Sequence, residues 1–497
     1  MNYLPLFALE TWILLITFTC LFVMYGKRTF GIFEKLGISG PKPTMYFGSI
    51  CKYNNVYYLD DQECAQKYGK IWGTYELRKP MLVVMDPDLL RTILVKECFT
   101  HFTNRRNFYL NGDLYDAVNI AEDDDWRRIR NVLSPLFTTG RIKQIFSLMK
   151  RQSSKLTSSL EPKAENEEVI SIKDFFGAYN MNVATGVLFG MEMEPSLPIK
   201  HASKLFKFPI PLFMIQGCFP ILLPLLQLMG FSLFPRDSFA FVKKIVEKIR
   251  AERDGGSHQV CTGRTRMLTT YTSTEFDFLQ HMISTQKNDG LTDHEIVSQL
   301  TVLLTGGYET STLALTLSIY SLATNPGSMN RLQEEIDATF PDGAPVTYEA
   351  LMQMEYVDCV INECLRLYPP AARLERTAKE TVEISGITIP RNMTVMVPIF
   401  ALHRDPEHWP EPEEFKPDRF SKQNKGRINP YTYLPFGIGP RNCLGMRLAL
   451  VIVKLALVET LQKYSFSVCK ETEIPFKMDP NTFVGPINPI KLRVVRR

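Results

Sequence analysis

The sequence predicts a mainly α-helical chain with a small β-rich subdomain, led by an N-terminal membrane-anchor helix. Three observations carry this. From about residue 120 to 370 the apolar spacing is mainly helical. Before residue 120, short apolar runs such as Met81 to Met85 alternate with helical patterns, as in a small sheet mixed with helices. At the amino end, Leu4 to Tyr25 is almost wholly apolar, broken by Glu10 and followed at once by Lys27 and Arg28.

That first run is about one bilayer's worth of helix. A cleaved signal peptide has basic residues ahead of its apolar run and small residues behind it. Here the basic pair follows the run and no Ala-x-Ala site appears. The segment therefore reads as an uncleaved signal anchor in preference to a buried core helix, and the positive-inside rule puts Lys27, Arg28 and the chain after them in the cytosol. Gly37 to Pro43 cannot continue a helix. The expected organisation is an anchor over 1–26, a Pro/Gly hinge over 27–50 and one body over 51–497, with no internal repeat.

With 497 residues, 45% hydrophobic and 22% charged, the chain can bury a large core without disulfides or a structural metal. Net charge is +4 and the 57 basic residues are scattered, so a nucleic-acid partner is excluded. Ten cysteines form no Cys-x-x-Cys pair and no zinc-spaced quartet, which fits a reducing, cytosol-facing compartment. Nine are expected to be inert thiols. Two segments stand apart. Phe206 to Phe234 is apolar yet broken by proline, suited to lying on a bilayer or roofing an apolar pocket. Gly255 to Glu275 holds six threonines without period and reads as an exposed loop.

The tenth cysteine lies in Phe436-Gly437-Ile438-Gly439-Pro440-Arg441-Asn442-Cys443-Leu444-Gly445. The glycines allow a tight turn and close approach of a flat ligand. The run leads into the apolar stretch Met446 to Lys463, whose composition predicts a buried helix, so Cys443 precedes a helix amino terminus that favours its thiolate. The run matches F-x-x-G-x-R-x-C-x-G at every defined position and resembles the haem-binding loop of the cytochrome P-450 superfamily. The resemblance implies the cytochrome P-450 fold, with haem b (iron protoporphyrin IX) between the long central helix and the cysteine loop. It makes Cys443 the proximal iron ligand, Phe436 part of the haem-binding run and Arg441 a propionate partner.

Three further motifs follow the same family. A helical pattern from about Asp293 to Ala323, opened by Thr292 and Glu295 at capping-box spacing, carries Gly306-Gly307-Tyr308-Glu309-Thr310. Two glycines inside a helix cost about 1 kcal/mol each against alanine, which suggests a need for space beside the backbone. The pattern is similar to the family's oxygen-activating helix, which implies that Thr310 supports dioxygen at the iron and Glu309 helps deliver protons. Glu363 and Arg366 share a helix face; by resemblance they form a structural triad with Arg419. Trp126 and Arg130 stand at i and i+4. They resemble the family's W-x-x-x-R, with Arg105 and Arg376 as further propionate partners.

Phe102 to Arg106, Leu374-Glu375-Arg376 and Ala401 to Pro406 are similar to the vertebrate subfamily three-A of steroid and drug oxidisers. By that likeness the substrate pocket includes Asn119, Thr305, Gly306, Pro370, Ala371, Ala372, Arg373 and Glu375. Thr305 stands where phenylalanine is usual, so a larger and more polar space is expected there; residues 190–206 look shorter than the subfamily's roof helix. The implied activity is monooxygenation of apolar small molecules with dioxygen, in the endoplasmic reticulum membrane. NADPH electrons would come through NADPH-cytochrome P-450 reductase, with cytochrome b5 as an optional second partner. No Walker loop or nucleotide-binding glycine motif is present for direct NADPH binding. An endoperoxide isomerase like thromboxane synthase is the rival enzyme, disfavoured by the Glu309-Thr310 pair; a catalytically silent haem-binding membrane protein is the rival outside enzymes. The basic residues Arg127, Arg128, Lys143, Lys422, Lys425 and Arg427 flank the haem-proximal motifs and are expected to steer an acidic electron donor.

Overall fold

The computed structural model describes residues 9–49, 56–207, 209–254, 270–271, 277–286, 290–480 and 483–497. Helices dominate, around two apolar clusters: a large one among the helices and a smaller one on the sheet.

The sheet is built from β1 (Ile71–Glu76), β2 (Lys79–Val84), β3 (Arg373–Thr377) and β4 (Thr394–Pro398), in the order β1-β2-β4-β3. β1 and β2 form an antiparallel hairpin, β2 runs parallel to β4, and β4 is antiparallel to β3. Met81 to Val84 and all of β4 are buried, which explains why these strands read as unbroken apolar runs instead of alternating ones. Residues 30–49, expected as a hinge, are fastened to β1. Phe33 is buried beneath Gly73, where any Cβ would strike its ring, and the Gly73 N–H donates to Ser39 O at 2.9 Å.

The central helix, Asp293–Thr324, starts on the expected capping box: the Glu295 N–H donates to Thr292 Oγ1, and the Thr292 N–H to Glu295 Oε2. It is buried on nearly all sides, so it forms the axis of the core. The helix Ile172–Phe189 crosses it where Gly177 leaves room for Tyr308, and Asn180 Nδ2 donates to Thr312 Oγ1 at 3.0 Å. The helix after the cysteine loop, Met446–Leu461, is buried from Val451 onward.

Between Phe206 and Phe234 the helix Ile210–Cys218 is followed, across a 105° bend, by residues 220–228. Leu110, Leu212 and Leu233 are buried together, with Phe108 and Phe213 packed against them, so this segment does cover the body. The 190–206 region holds one nine-residue helix, Ser196–Lys204. Of the 255–275 loop only Thr270–Tyr271 lies within the described residues, paired with Met191–Glu192. Leu9–Lys27 is a 19-residue helix of mean hydropathy 1.7 in its most apolar stretch, and Gly26 is its one buried residue. At 1.5 Å per residue it is about 28 Å long, enough to cross a hydrocarbon core.

Candidate active site

The cysteine loop is a turn fixed by its own backbone. The Cys443 N–H donates to Phe436 O at 2.8 Å, and the Asn442 N–H to Gly439 O at 3.0 Å. Gly437 and Gly439 have φ of 67° and 77°. A Cβ on Gly439 would lie 2.1 Å from Leu94 O, so glycine is needed there for both conformation and space. Gly445 caps the helix that follows, and Cys443 stands exposed just ahead of it. Surrounding protein pushes the Cys443 thiol above its ordinary range. The Gly445 and Met446 N–H groups and the Arg105 and Arg130 charges pull it back toward the thiolate.

Around this loop the structure brings together Arg105, Trp126, Arg130, Arg376 and Arg441. Arg441 is buried, donates to Thr103 O, Val118 O and Ala121 O, and lies over the Trp126 ring at 4.2 Å. Arg130 grips Asn442 through its backbone and side-chain oxygens at 2.9 and 2.7 Å. Arg105 reaches Arg441 O, and Arg376 reaches Glu375 O. The oxygens these four guanidiniums reach are carbonyl or amide oxygens, and Arg376 also bonds the Cys98 thiol. Burial, then mutual repulsion, depresses Arg441 to about 9 and Arg376 to about 10. Arg376 Nε and Nη2 and Trp126 Nε1 are buried without an oxygen acceptor. Such a surplus of donors and positive charge matches anionic oxygens, and two adjacent carboxylates like those of haem b suit it. Trp126, Arg130 and Arg441 were expected here from their motifs, and Arg105 and Arg376 from resemblance alone.

On the central helix, a Cβ on Gly306 or Gly307 would meet nothing within 4 Å, so the predicted space beside the backbone is there. The Thr310 hydroxyl donates to Gly306 O at 2.6 Å. Thr305 is buried and its hydroxyl donates to Thr301 O at 2.8 Å, the same bond to the residue four back that Thr310 makes. Glu309 accepts from Lys173 Nζ at 2.5 Å, while its other oxygen, Oε2, is buried with no partner. Sequence reading missed Lys173. Its signal was a cation in the first turn of a helix, where the macrodipole disfavours one unless a carboxylate holds it.

Glu363 and Arg366 form a two-pronged ion pair at 2.8 Å with both side chains fully buried. Arg419 Nε and the Lys416 N–H also donate to Glu363 Oε1, completing the expected triad. His403, also missed, joins this unit to the cysteine loop. Its Nδ1 donates to Arg366 O at 3.1 Å, and its Nε2 accepts from the Leu434 N–H at 2.8 Å. Burial and the nearby Arg366 push its pKa down to about 3, so the ring is neutral, as that pattern requires.

Among the proposed pocket residues, Asn119 has a buried Oδ1 without a partner, while Pro370 and Ala371 are half-buried and Ala372 is buried. Two are committed elsewhere. Arg373 pairs with Asp61 in a bidentate manner at 2.7 Å, and Glu375 accepts both prongs of Arg106, which also pairs with Glu76. Neither offers a free charge to a substrate. The donor-steering residues need a similar correction. Arg128 is paired with Glu295, Lys143 with Glu349 and Lys422 with Glu355, whereas Lys425 and Arg427 are exposed. Charge alternation in the sequence could not show these long-range partners.

Comparison with known proteins gives concordant matches. The family model described as Cytochrome P450 matches residues 38–494. The chain is 51% identical to cytochrome P450 3A56 of Fundulus heteroclitus over 510 aligned positions, covering 100% of both proteins. It is 52% identical to cytochrome P450 3A30 of the same species, again over 100% of both. Against cytochrome P450 3A25 of Mus musculus it is 45% identical, covering 100% of this chain and 99% of that one.

Proposed function

We propose, on the premise that this chain belongs to the cytochrome P450 family and is a monooxygenase, that it oxidises apolar organic molecules such as steroids and xenobiotics. NADPH electrons reach it through a reductase, with cytochrome b5 as a further donor. The observation that carries this reading is the set of unsatisfied donors at Arg376 and Trp126 beside Arg105, Arg130 and Arg441, next to Cys443. Those residues would hold the haem carboxylates, and Cys443 would give its sulfur to the iron. When bound, the haem activates dioxygen, so that one oxygen atom enters a C–H bond and the other leaves as water.

The chain's own part is to manage protons and exclude water. Lys173 is half-exposed and Glu309 is 15% exposed, so their pair runs from solvent toward the helix interior. Glu309 takes a proton at this boundary and Thr310, one residue on, presents it from its hydroxyl. In Thr310→Ala, product formation should fall by up to about a hundredfold, the low end of what a positioned proton donor contributes. Haem uptake and NADPH consumption should persist, with the electrons recovered as peroxide. Wild-type coupling of NADPH to product in that variant removes Thr310 from the mechanism.

The Leu9–Lys27 helix anchors the protein in the endoplasmic reticulum membrane with the body in the cytosol. Lys425 and Arg427 help dock an acidic electron donor. Reversing both to glutamate should slow first-electron reduction several-fold in dilute buffer, and added salt should erase the difference because exposed charges are screened. Equal rates in dilute buffer place the donor elsewhere.

A further inference from the structure

The two-residue turn between β1 and β2 carries Arg78, which is 5% exposed. Its Nη2 donates to Tyr25 O at 2.7 Å and its Nη1 to Cys218 O at 2.8 Å. The same guanidinium lies 3.6 Å from the centroid of the Tyr25 ring. Tyr25 is in the last turn of the apolar N-terminal helix, and Cys218 ends the helix Ile210–Cys218. One cation thus satisfies carbonyls at two helix carboxyl ends, where carbonyls lack intrahelical partners and the dipole is negative.

The contacts around it have the same sense. Tyr46 Oη donates to Phe22 O at 2.6 Å, and Cys218 Sγ lies 3.3 Å from Tyr46 O. Phe22 stacks on Tyr46, and Tyr25 is parallel to Phe219. Gly26 and Gly217 permit the close approach: a Cβ on the first would lie 2.7 Å from Met45 Cγ, and one on the second 2.2 Å from Leu77 Cδ1. Past Cys218 the chain bends by 105° and leaves Ile221, Leu225, Leu228 and Met229 exposed, between 53% and 85%. This patch adjoins the end of a helix whose exposed residues are mostly apolar, so the two surfaces are continuous and call for the same medium.

We infer that Arg78 is a positioning residue that locks the membrane helix to the helix Ile210–Cys218, so that residues 221–229 enter the lipid leaflet at a fixed angle set by the anchor. The inference rests on the membrane reading above. It assigns the covering partner as acyl chains of the bilayer, and it assigns the tilt of the catalytic body to a polar clamp instead of a loose tether.

The test uses the full-length, haem-loaded protein in phosphatidylcholine bilayers. Haem tilt is read by polarised absorbance in oriented bilayers, and local opening by amide hydrogen exchange. In Arg78→Met the tilt distribution should broaden. Amides of residues 22–28 and 217–222 should exchange on the order of tenfold faster or more, given the loss of two charge-assisted hydrogen bonds. Exchange in the central helix and the carbon monoxide spectrum should stay as in wild type. Arg78→Lys, which can reach one carbonyl at a time, should fall between. If Arg78→Met does not fold, Tyr25→Leu removes the stacked ring alone and should loosen the same amides. Unchanged tilt and exchange in the folded variants overturn the clamp. Wild-type protein that fails to float with vesicles overturns the membrane reading itself. Protection of 221–229 that rises with protein concentration in detergent, and not with lipid, makes a second copy the partner and overturns the lipid assignment.

Discussion

Replacing Cys443 with histidine is expected to abolish the red-shifted Soret band of the reduced, carbon monoxide-bound protein while leaving haem uptake measurable. The shift reports sulfur donation to the porphyrin system, so it follows the ligand atom and not the fold. Two alternative thiols, both on the helix Tyr356–Leu367, are poorly placed to substitute. Cys364 is fully buried and its thiol is pushed up to about 12, and burial pushes Cys359 up to about 11. Neither has the paired N–H groups and the two guanidiniums that pull Cys443 toward the thiolate. Monooxygenase turnover should fall by more than the roughly 10- to 100-fold that loss of an outer-shell partner costs a metal site. The cradle of Arg105, Trp126, Arg130, Arg376 and Arg441 is untouched by the change, so haem should still be held through its carboxylates. A histidine variant that keeps the thiolate band assigns the ligand to another cysteine.

What the sequence made legible was what is local. The capping box at Thr292 and Glu295, the glycine pair in the central helix and the turn ending at Cys443 are each written in consecutive residues, and each took the expected form. The parallel pairing of β2 with β4 joins segments some 300 residues apart, and no local period records it. The same holds for charge partners. Arg373 and Glu375 could be placed on one strand, but only the fold brings Asp61 to one and Arg106 to the other. Lys173 and His403 went unread because each acts through a residue far along the chain, Glu309 in one case and Leu434 in the other. Residues 27–49 are a different case. Glycine and proline there break helix, as read, but Gly40 does so to press against the Gly73 carbonyl, which makes a packed corner in place of a hinge.

Removing the Glu363 carboxylate should be the most destabilising single change in the catalytic body, because the charge it balances cannot escape. Arg366 is fully buried and Arg419 is 13% exposed, and both donate to Glu363. In Glu363→Ala those cations and the Lys416 N–H lose their carboxylate acceptor where little solvent reaches. Breaking a buried pair in this way costs about 3–5 kcal/mol, a large share of the roughly 5–15 kcal/mol that holds a domain together. The loss should reach the cysteine loop through His403, which bonds Arg366 O on one side and the Leu434 N–H on the other. Denaturant unfolding should therefore show a lowered midpoint, and haem-loaded protein should be scarce although Cys443 is intact. Replacing both partners with methionine distinguishes charge balance from scaffolding. If balance were the whole role, the double variant would recover most of the loss, since a buried pair can be exchanged for apolar packing at little cost. Arg366 also donates to the carbonyls of His403, Pro412 and Glu414. Those three acceptors stay unsatisfied in the double variant, so recovery should be partial. Full recovery would reduce the pair to charge neutralisation, and a Glu363→Ala unfolding free energy within about 0.5 kcal/mol of wild type, the scale of an ordinary surface change, would remove the triad from the stability of the haem-bearing core.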